Sequence, residues 1–384
     1  MHKCTPLRIL VCPDSFKGSL DAMAVAEAMT RGVRTACPGA QVRALPMADG
    51  GEGTARLATE TLGWAWQRTE VHGPRGECVT AGWGIDIDGR RAVIDVASAC
   101  GLDLVPSDQR DPWRLDSRGV GELMLAAMDA GAEELMIGLG GSGTVDGGAG
   151  MLAALGARFL DAHGKALSPT PAALAALARV DLDGLDPRLD GTGIVVLNDV
   201  DNPLTGPQGA AAVFGPQKGL TEADIQAMDR HLARLAARLD AAGPLRCPAD
   251  TPGAGAAGGL GFALACVLGG HSRMGATCLA DLIDLDEAIA SADLVITGEG
   301  QIDAQTARGK VVAEVITRAT RLNVPVVAVA GRINATPAER AALGLTDARG
   351  LVDDAVGVEQ AMAEPARWIT ERTRQLVETH LDRG

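Results

Sequence analysis

The sequence opens with two copies of one pattern: a short apolar run, a loop rich in Asp, Ser and Gly, and a segment with helical spacing. The first run is Leu7–Cys12 with the loop Pro13–Ser19, and the second is Gln41–Pro46 with the loop Ala48–Thr54. Repeated strand, loop and helix units predict a parallel sheet covered by helices. In such a fold, ligands bind beyond the carboxyl ends of the strands.

The regularity of this pattern breaks in the next part of the chain. The segments Trp64–Val71, Val79–Ile87 and Arg91–Val96 alternate in the manner of antiparallel strands. The strand, loop and helix rhythm returns at Asp293–Thr297, and Val324–Ala330 supplies a further buried strand. One domain therefore interrupts another.

At 384 residues, the chain is longer than a single compact core usually is. Aromatic residues make up only 2% of it, so the core must consist of Ala, Leu, Val and Ile, which suits alternating strands and helices. We predict an α/β protein of two domains. They are a discontinuous Rossmann-like parallel-sheet domain (1–64 and 288–384) and an inserted second α/β domain (65–287).

The charge balance excludes two classes of partner. With 35 Lys and Arg against 49 Asp and Glu, the net charge of -14 repels nucleic acid and anionic membrane surfaces. A phosphate ligand remains compatible with this charge, because local backbone amides and a few lysines suffice to bind one. The N-terminal segment lacks a long apolar stretch, so we expect a cytoplasmic protein.

The cysteines are dispersed, without a C-x-x-C pair and without a histidine at metal-ligand spacing. This spacing predicts free buried thiols rather than a structural zinc site. The cysteines are Cys4, Cys12, Cys37, Cys78, Cys100, Cys247, Cys266 and Cys278.

The densest glycine cluster is Gly138–Gly150, directly after the apolar run Glu134–Ile137. Glycines let backbone amides approach an anion, and a following helix adds the positive end of its dipole. The cluster therefore predicts a phosphate or carboxylate site, with a plain turn as the alternative. The candidate binding residues are Gly140, Gly141, Ser142, Gly143 and Thr144.

Part of this cluster also satisfies a dinucleotide-binding pattern. Gly138, Gly140 and Gly143 fit G-x-G-x-x-G, and Asp161 follows at suitable spacing. A nicotinamide-dependent dehydrogenase of a small hydroxy acid is therefore the alternative enzyme. However, Gly147 and Gly148 follow at once and disfavour the helix that this fingerprint requires.

Acidic residues follow two further strand-like runs. Asp199 and Asp201 could hold Mg²⁺ or accept a proton from an attacking hydroxyl, although an Asp/Asn turn explains them equally well. After the last of these runs, Glu299 and Asp303 are candidates for metal or ribose binding, and Lys310 for phosphate binding.

Lysines and carboxylates also occur in three other loops. Lys218 lies in the Gly/Pro-rich segment Val213–Gly219, where a mobile ammonium could reach phosphate oxygens. Lys17 and Asp49 lie at the carboxyl ends of the first two strands, where a doubly wound sheet gathers its ligands. Residues in these two loops could instead cap the helices that follow.

Taken together, seven ordered motifs across nearly the whole chain resemble the bacterial glycerate kinase family. They are Pro13–Ser19, Pro46–Thr54, Gly138–Gly150, Asp199–Leu204, Phe214–Gly219, Gly253–Gly261 and Asp293–Asp303.

The resemblance implies phosphorylation of D-glycerate to 2-phosphoglycerate, or to 3-phosphoglycerate, with ATP as co-substrate and Mg²⁺ as cofactor. It also implies an active site between the two domains, and we expect a monomer or homodimer. Our candidates are Asp199, Lys17 and Asp49 for catalysis. Asp199, Asp201, Glu299 and Asp303 are the candidates for metal binding, and in-line transfer would then depend on positioning and charge neutralisation.

Four positions depart from the sequence that relatives often carry: Gly143, Val145, Gln301 and Ala304. An amide, a guanidinium and a hydroxyl are thereby missing, while the glycines and acids remain. A sensor that binds a sugar acid without turnover is the alternative that is not an enzyme.

Overall fold

The computed structural model describes residues 6–303, 306, 311–353 and 356–382. The chain divides into two compact units. Unit 1 is formed by residues 1–49 and 276–384, and unit 2 by residues 50–275.

The strands fall into two main sheets and one two-stranded ribbon. In chain order they are β1 Arg8–Pro13, β2 Gln41–Ala44, β3 Ala65–His72, β4 Cys78–Ile85, β5 Arg91–Asp95, β6 Glu134–Gly138, β7 Arg158–Leu160, β8 Arg179–Asp181, β9 Gly193–Leu197, β10 His271–Arg273, β11 Leu294–Ile302, β12 Val326–Ile333 and β13 Asp347–Gly350.

Helices connect these strands and cover the two main sheets. They are α1 Ala22–Ala36, α2 Thr54–Leu62, α3 Ala97–Cys100, α4 Arg118–Asp129, α5 Ala149–Ala154, α6 Ala210–Lys218, α7 Glu222–Ala242, α8 Leu260–Phe262, α9 Gly275–Leu282, α10 Leu285–Ala290, α11 Val311–Arg321, α12 Pro337–Leu343, α13 Val358–Ala363 and α14 Pro365–Leu381.

Unit 1 contains a fully parallel sheet in the order β13-β12-β11-β1-β2. Its inner strands are apolar and buried along most of their length, as expected when helices cover both faces. Counted within the unit, this is the doubly wound order 2-1-3-4-5, whose direction of winding reverses between β1 and β11. The loops diverge at that point, so a ligand crevice is expected beyond the carboxyl ends of β1 and β11.

Helices α1 and α14 pack closely against each other on the sheet of unit 1. Gly32 allows this contact, because a Cβ atom there would lie 2.4 Å from the Thr370 carbonyl oxygen. The Asp21 side chain accepts a hydrogen bond from Ala24 N and caps the start of α1.

Unit 2 contains a mixed sheet in the order β10-β9-β6-β5-β4-β3. The predicted antiparallel pairing is present between β3 and β4 and between β4 and β5. However, β5 also pairs in parallel with β6, and β6, β9 and β10 continue the parallel part. The carboxyl ends of β5, β6, β9 and β10 therefore lie along one edge, which we call the unit 2 edge.

The unit boundaries follow Asp49 and Gly275, earlier than the predicted boundaries at 64/65 and 287/288. Helix α2 belongs to unit 2 because it packs on β4 and β5. Helix α9 belongs largely to unit 1, where Thr277 donates a hydrogen bond to Glu314 and Asp281 accepts one from Arg318.

Local structure departs from the predictions at three places. The segment Val213–Lys218 is the end of helix α6 rather than a loop, and β11 extends through Glu299 to Ile302. A disulfide joins Cys247 and Cys266, so the prediction of free thiols is wrong for this pair.

Cys12 and Cys100 are free and buried, Cys278 is buried, and Cys78 is exposed. Across the described ranges, no helix combines the length and apolar character needed to cross a membrane.

Candidate active site

The carboxyl end of β1 places Asp14 at the point where the winding of the unit 1 sheet reverses. Its backbone N donates to the Gly298 carbonyl oxygen of β11 at 2.8 Å. The side chain is only 6% exposed, and its Oδ1 accepts a hydrogen bond from Ser15 N at 2.6 Å. Burial, followed by the negative charge of Asp49, raises the pKa of Asp14 to about 6.

Lys17 and Asp49, both predicted from the sequence, lie beside Asp14. The segment after β2 continues along β1, since Met47 N donates to the Pro13 carbonyl oxygen at 2.9 Å. Lys17 Nζ lies 3.8 Å from Asp49 Oδ2, and the Lys17 side chain is 71% exposed. The structure thus brings together the buried carboxyl group of Asp14, the carboxylate of Asp49 and the exposed ammonium of Lys17, which we call the unit 1 cluster.

The carboxyl end of β11 brings Glu299 and Asp303 together through Thr306. Thr306 Oγ1 donates to Glu299 Oε1 at 3.1 Å and accepts from Asp303 N at 3.0 Å. Gln301 Nε2 donates to Asp303 Oδ2 at 2.6 Å. Gln301 is one of the four positions that differ from the family's usual sequence, and its amide orients the Asp303 carboxylate. Lys310, the predicted phosphate ligand, lies outside the described residues.

The candidate metal ligands are placed in pairs rather than in a larger group. In the described part of the chain, no group of three or more His, Cys, Asp or Glu residues is arranged to hold a metal ion. Mg²⁺ is commonly held by one or two carboxylates together with substrate phosphates. Glu299 and Asp303, linked by Thr306, fit that requirement in their donor chemistry.

In unit 2, Asp199 and Asp201 lie in the exposed loop after β9. Asp199 Oδ1 accepts a hydrogen bond from Gly275 N at 2.9 Å. The Asn198 side chain bonds to the backbone of Val200 and fixes this turn. The loop therefore has the predicted position at a strand end, with Asp199 held by a backbone amide.

Only the tip of the glycine cluster reaches the surface. Gly141 is exposed and Gly140 half-buried, whereas residues 142–150 are buried. Gly140 packs against Gly51, where a Cβ atom on Gly140 would lie 2.4 Å from the Gly51 Cα. The two glycine-rich loops of the unit 2 edge therefore meet backbone to backbone.

The start of helix α5 already holds an anion of the protein itself. The Asp146 carboxylate is fully buried and accepts from Ser117 N and Oγ, both at 2.8 Å, from Gly150 N at 3.0 Å and from Gly148 N at 3.1 Å. Burial raises the pKa of Asp146, whereas the hydrogen bonds from Gly150, Ser117 and Gly148 lower it. The predicted place for a ligand at this helix end is thus occupied by Asp146.

Asp95 plays the same part at the start of helix α2. Its carboxylate accepts from Gly53 N at 3.0 Å and from Ala55 N at 3.1 Å. Burial raises the pKa of Asp95 to about 7, and these two amides lower it. The sequence offered one signal for this residue: like Asp199, it ends an apolar strand.

Lys218 is buried, contrary to the predicted mobile ammonium. It ends helix α6, is 2% exposed, and donates from Nζ to Ser142 Oγ at 2.8 Å and to the Thr144 carbonyl oxygen at 2.9 Å. Burial lowers the pKa of Lys218 to about 8. The side chain is thus part of the glycine loop's support.

The dinucleotide fingerprint has no counterpart in the structure. Asp161 follows β7, which pairs antiparallel with β8, and accepts hydrogen bonds from His163 N and Lys165 N in the tight turn directly after β7. The fingerprint requires an acidic residue at the end of a second parallel strand. The dehydrogenase interpretation therefore fails on topology.

Comparison with known proteins decides the family. The model of the glycerate kinase family matches residues 9–381. The glycerate kinase of Bacillus subtilis (strain 168) is 44% identical over 96% of this chain and 97% of its own length. The glycerate 2-kinase of Escherichia coli (strain K12) is 45% identical over 85% of this chain and 86% of its own.

The chain belongs to the glycerate kinase family. A crystal structure described as glycerate kinase 2 from Salmonella typhimurium LT2 superimposes with a TM-score of 0.86 and 42% identity, covering 98% of this chain and 99% of that one. The predicted family and the mixed α/β fold with parallel sheets are therefore confirmed. As a glycerate kinase, the protein is an enzyme that phosphorylates glycerate, a small-molecule substrate.

Proposed function

We propose that this glycerate kinase transfers the γ-phosphoryl group of ATP to the 2-hydroxyl of D-glycerate, in the cytoplasm and with Mg²⁺. One of the relatives supports position 2, because its name specifies a glycerate 2-kinase. The protein would bind no nucleic acid and would act as a monomer or homodimer.

The unit 1 cluster is the observation that carries the proposed mechanism. Phosphoryl transfer needs little covalent chemistry from the protein, so positioning and charge neutralisation dominate. Asp14 and Asp49 supply two carboxyl groups beside the exposed ammonium of Lys17 at a strand edge where doubly wound folds bind ligands. The Lys17 ammonium can therefore stay close to the negatively charged oxygens of the phosphoryl group while that group is transferred.

Within this cluster we assign proton acceptance to Asp14. A general base works best when its pKa lies near the operating pH, and burial raises the pKa of Asp14 to about 6. The carboxylate would hold the glycerate hydroxyl and take its proton as the bond to phosphorus forms. Asp49 keeps Lys17 close to this position.

Two pairs of residues remain proposed ligands of the nucleotide-bound Mg²⁺. They are Asp199 with Asp201, and Glu299 with Asp303. These are oxygen donors in the pairs that Mg²⁺ uses beside phosphates. When bound, Mg²⁺ supplies positive charge that neutralises the phosphate oxygens. In the chain itself, Gly275 N and Thr306 Oγ1 hold Asp199 and Glu299 in place.

The test is incubation of the purified protein with ATP, Mg²⁺ and D-glycerate, with ADP release followed and the product identified by phosphorus NMR. Turnover that requires glycerate and yields 2-phosphoglycerate supports the proposal. Formation of 3-phosphoglycerate would overturn the regiochemistry alone. Turnover on another hydroxy acid, with none on glycerate, would overturn the substrate. L-Glycerate serves as the control for stereochemistry.

A further inference from the structure

Lys218 is a buried cation for which the proposed chemistry has no direct use. It is one of the largest fully buried side chains of the molecule, and both of its hydrogen-bond acceptors belong to the glycine loop. An ammonium group is costly to bury unless it is paired and hydrogen-bonded. An apolar side chain of similar length would avoid this cost, so the two hydrogen bonds are what the ammonium adds.

The same loop is held on its other side by a short backbone pairing. Gly143 N donates to the Cys100 carbonyl oxygen at 2.7 Å, and Leu102 N donates to the Gly141 carbonyl oxygen at 2.8 Å. Lys218 therefore completes a clamp around residues 141–144. The exposed tip at Gly140 and Gly141 has no side chains of its own, so backbone contacts fix it: Gly140 packs against Gly51, and this clamp holds the residues that follow.

The position of Lys218 Nζ argues against direct contact with a ligand. To reach solvent, Nζ would have to leave both Ser142 Oγ and the Thr144 carbonyl oxygen, which would leave two polar groups buried without partners. Asp146, whose negative charge favours the protonated amine, lies on the buried side of the same loop. The ammonium is thus directed toward the loop's interior.

We propose that Lys218 is a positioning residue: by holding Ser142 and Thr144, it keeps the exposed Gly140–Gly141 tip in the conformation that binds an anionic group of a substrate, without touching that group. This inference rests on the proposed function. The anion is either a phosphate of ATP or the carboxylate of glycerate, and the Michaelis constants for the two substrates distinguish these sources.

The first experiment is a double-mutant cycle with Lys218→Met and Ser142→Ala. We expect Lys218→Met to raise the KM for one substrate by about tenfold or more, the effect of losing one or two hydrogen bonds from a charged donor, while kcat falls less. Because both residues act through one link, the double variant should resemble Lys218→Met within about twofold. Effects that multiply in full would overturn the proposal.

The second experiment needs no turnover. Reductive methylation with ¹³C-formaldehyde, read by NMR, should label exposed Lys17 in the absence of ATP and leave Lys218 unlabelled both with and without ATP. Labelling of Lys218 that ATP prevents would show direct contact and overturn the proposal. Lys165→Met, which removes an exposed lysine from the turn after β7, is the matched control and should leave both KM values unchanged.

Two further outcomes are covered by the same variants. If Lys218→Met does not fold, as judged by circular dichroism, Ser142→Ala alone tests the link, and unchanged KM values for both substrates would overturn it. If the wild type shows no turnover of glycerate, the proposed function fails separately. Calorimetric titration with ATP or glycerate then decides: weaker binding by Lys218→Met supports the positioning role, and equal binding of both ligands overturns it.

Discussion

The carboxyl edges of the two main sheets both carry buried aspartates, but their hydrogen bonding differs. At the unit 2 edge, Asp146 accepts four hydrogen bonds and Asp95 binds the backbone amides that begin helix α2. In unit 1, Asp14 is also buried, but the donors recorded for its side chain both come from one neighbour, Ser15, through the backbone N–H and the hydroxyl.

This difference separates two uses of a buried carboxyl group. A carboxylate saturated by backbone amides fixes loop geometry and has little capacity left for a substrate. A carboxyl group whose donors come from one residue keeps oxygen lone pairs for a substrate hydroxyl, and a raised pKa then suits proton transfer. The same residue type thus serves structure at the unit 2 edge and, in our proposal, chemistry in the unit 1 cluster.

The largest effect is expected for Asp14→Asn. The amide cannot accept the hydroxyl proton, and loss of a general base typically lowers kcat by about 10²–10⁴-fold. Because burying the carboxylate is unfavourable, stability should be unchanged or higher. Steady-state kinetics and thermal unfolding measure the two quantities, with Asp21→Asn at the exposed cap of α1 as the control. Near-normal kcat for Asp14→Asn would show that Asp14 is not the general base, and the proposed difference in role between the aspartates of the two edges would then fail.

Asp146→Ala should have the next largest effect, on stability. It leaves Ser117 N, Gly148 N and Gly150 N buried without an acceptor, at about 1–3 kcal/mol each, so we expect a loss of about 4 kcal/mol. Urea denaturation measures this loss. Asp161→Ala, which removes a similar backbone cap from a partly exposed turn, should cost less than about 1 kcal/mol. Equal losses for the two variants would contradict the structural role.

The pH dependence should show opposite trends for activity and stability in unit 1. If Asp14 must be ionised, kcat/KM should fall about tenfold per pH unit below its pKa of about 6. Folding raises the pKa of Asp14 above its unfolded value of about 4. Its contribution to stability is therefore fully present below about pH 4 and is lost as the pH rises through about 6.

The pH–rate profile and unfolding free energies at about pH 4 and about pH 7 check both trends. Asp14→Asn should flatten the change in stability between these two values. An acid limb that persists unchanged in the residual activity of this variant would assign the titration to another group.

The smallest effect is expected for Asp95→Asn. The amide oxygen still accepts from Gly53 N or Ala55 N, so the cost should be about 1 kcal/mol, with kcat nearly unchanged. Urea denaturation and steady-state kinetics provide the measurement. A fall in kcat beyond about tenfold with unaltered stability would show that Asp95 contacts substrate, and would place both edges in the chemistry.

The sequence was sufficient to predict the family and the α/β fold, because strand, loop and helix periodicity and the glycine motifs are local signals. It also placed Lys17 and Asp49 at neighbouring strand ends, which follows from parallel pairing alone. The position of Asp95 was missed because it depends on β5 pairing with β6. That pairing is a tertiary choice that alternation along one strand does not reveal.

Lys218 shows a second limit of prediction. Gly215 and Pro216 indicate a loop, yet the segment is the end of α6, closed by Gly219 in the left-handed conformation. Burial of the ammonium depends on Ser142 and Thr144, far earlier in the chain. No local pattern distinguishes such a lysine from an exposed one, because only long-range packing decides its solvation.

The order of strands in unit 1 has a consequence for synthesis on the ribosome. Strand β1 lies between β2 and β11, and Arg8 and Asp293, which bond at the start of this pairing, are 285 residues apart. At about 5–20 residues per second, β1 waits roughly 15–60 s for its partner. During that interval the nascent chain exposes an apolar strand edge, which is an aggregation hazard. Residues 50–275 emerge during this time. In cells with few chaperones, a larger fraction of the nascent chains should therefore aggregate through the exposed edge of β1.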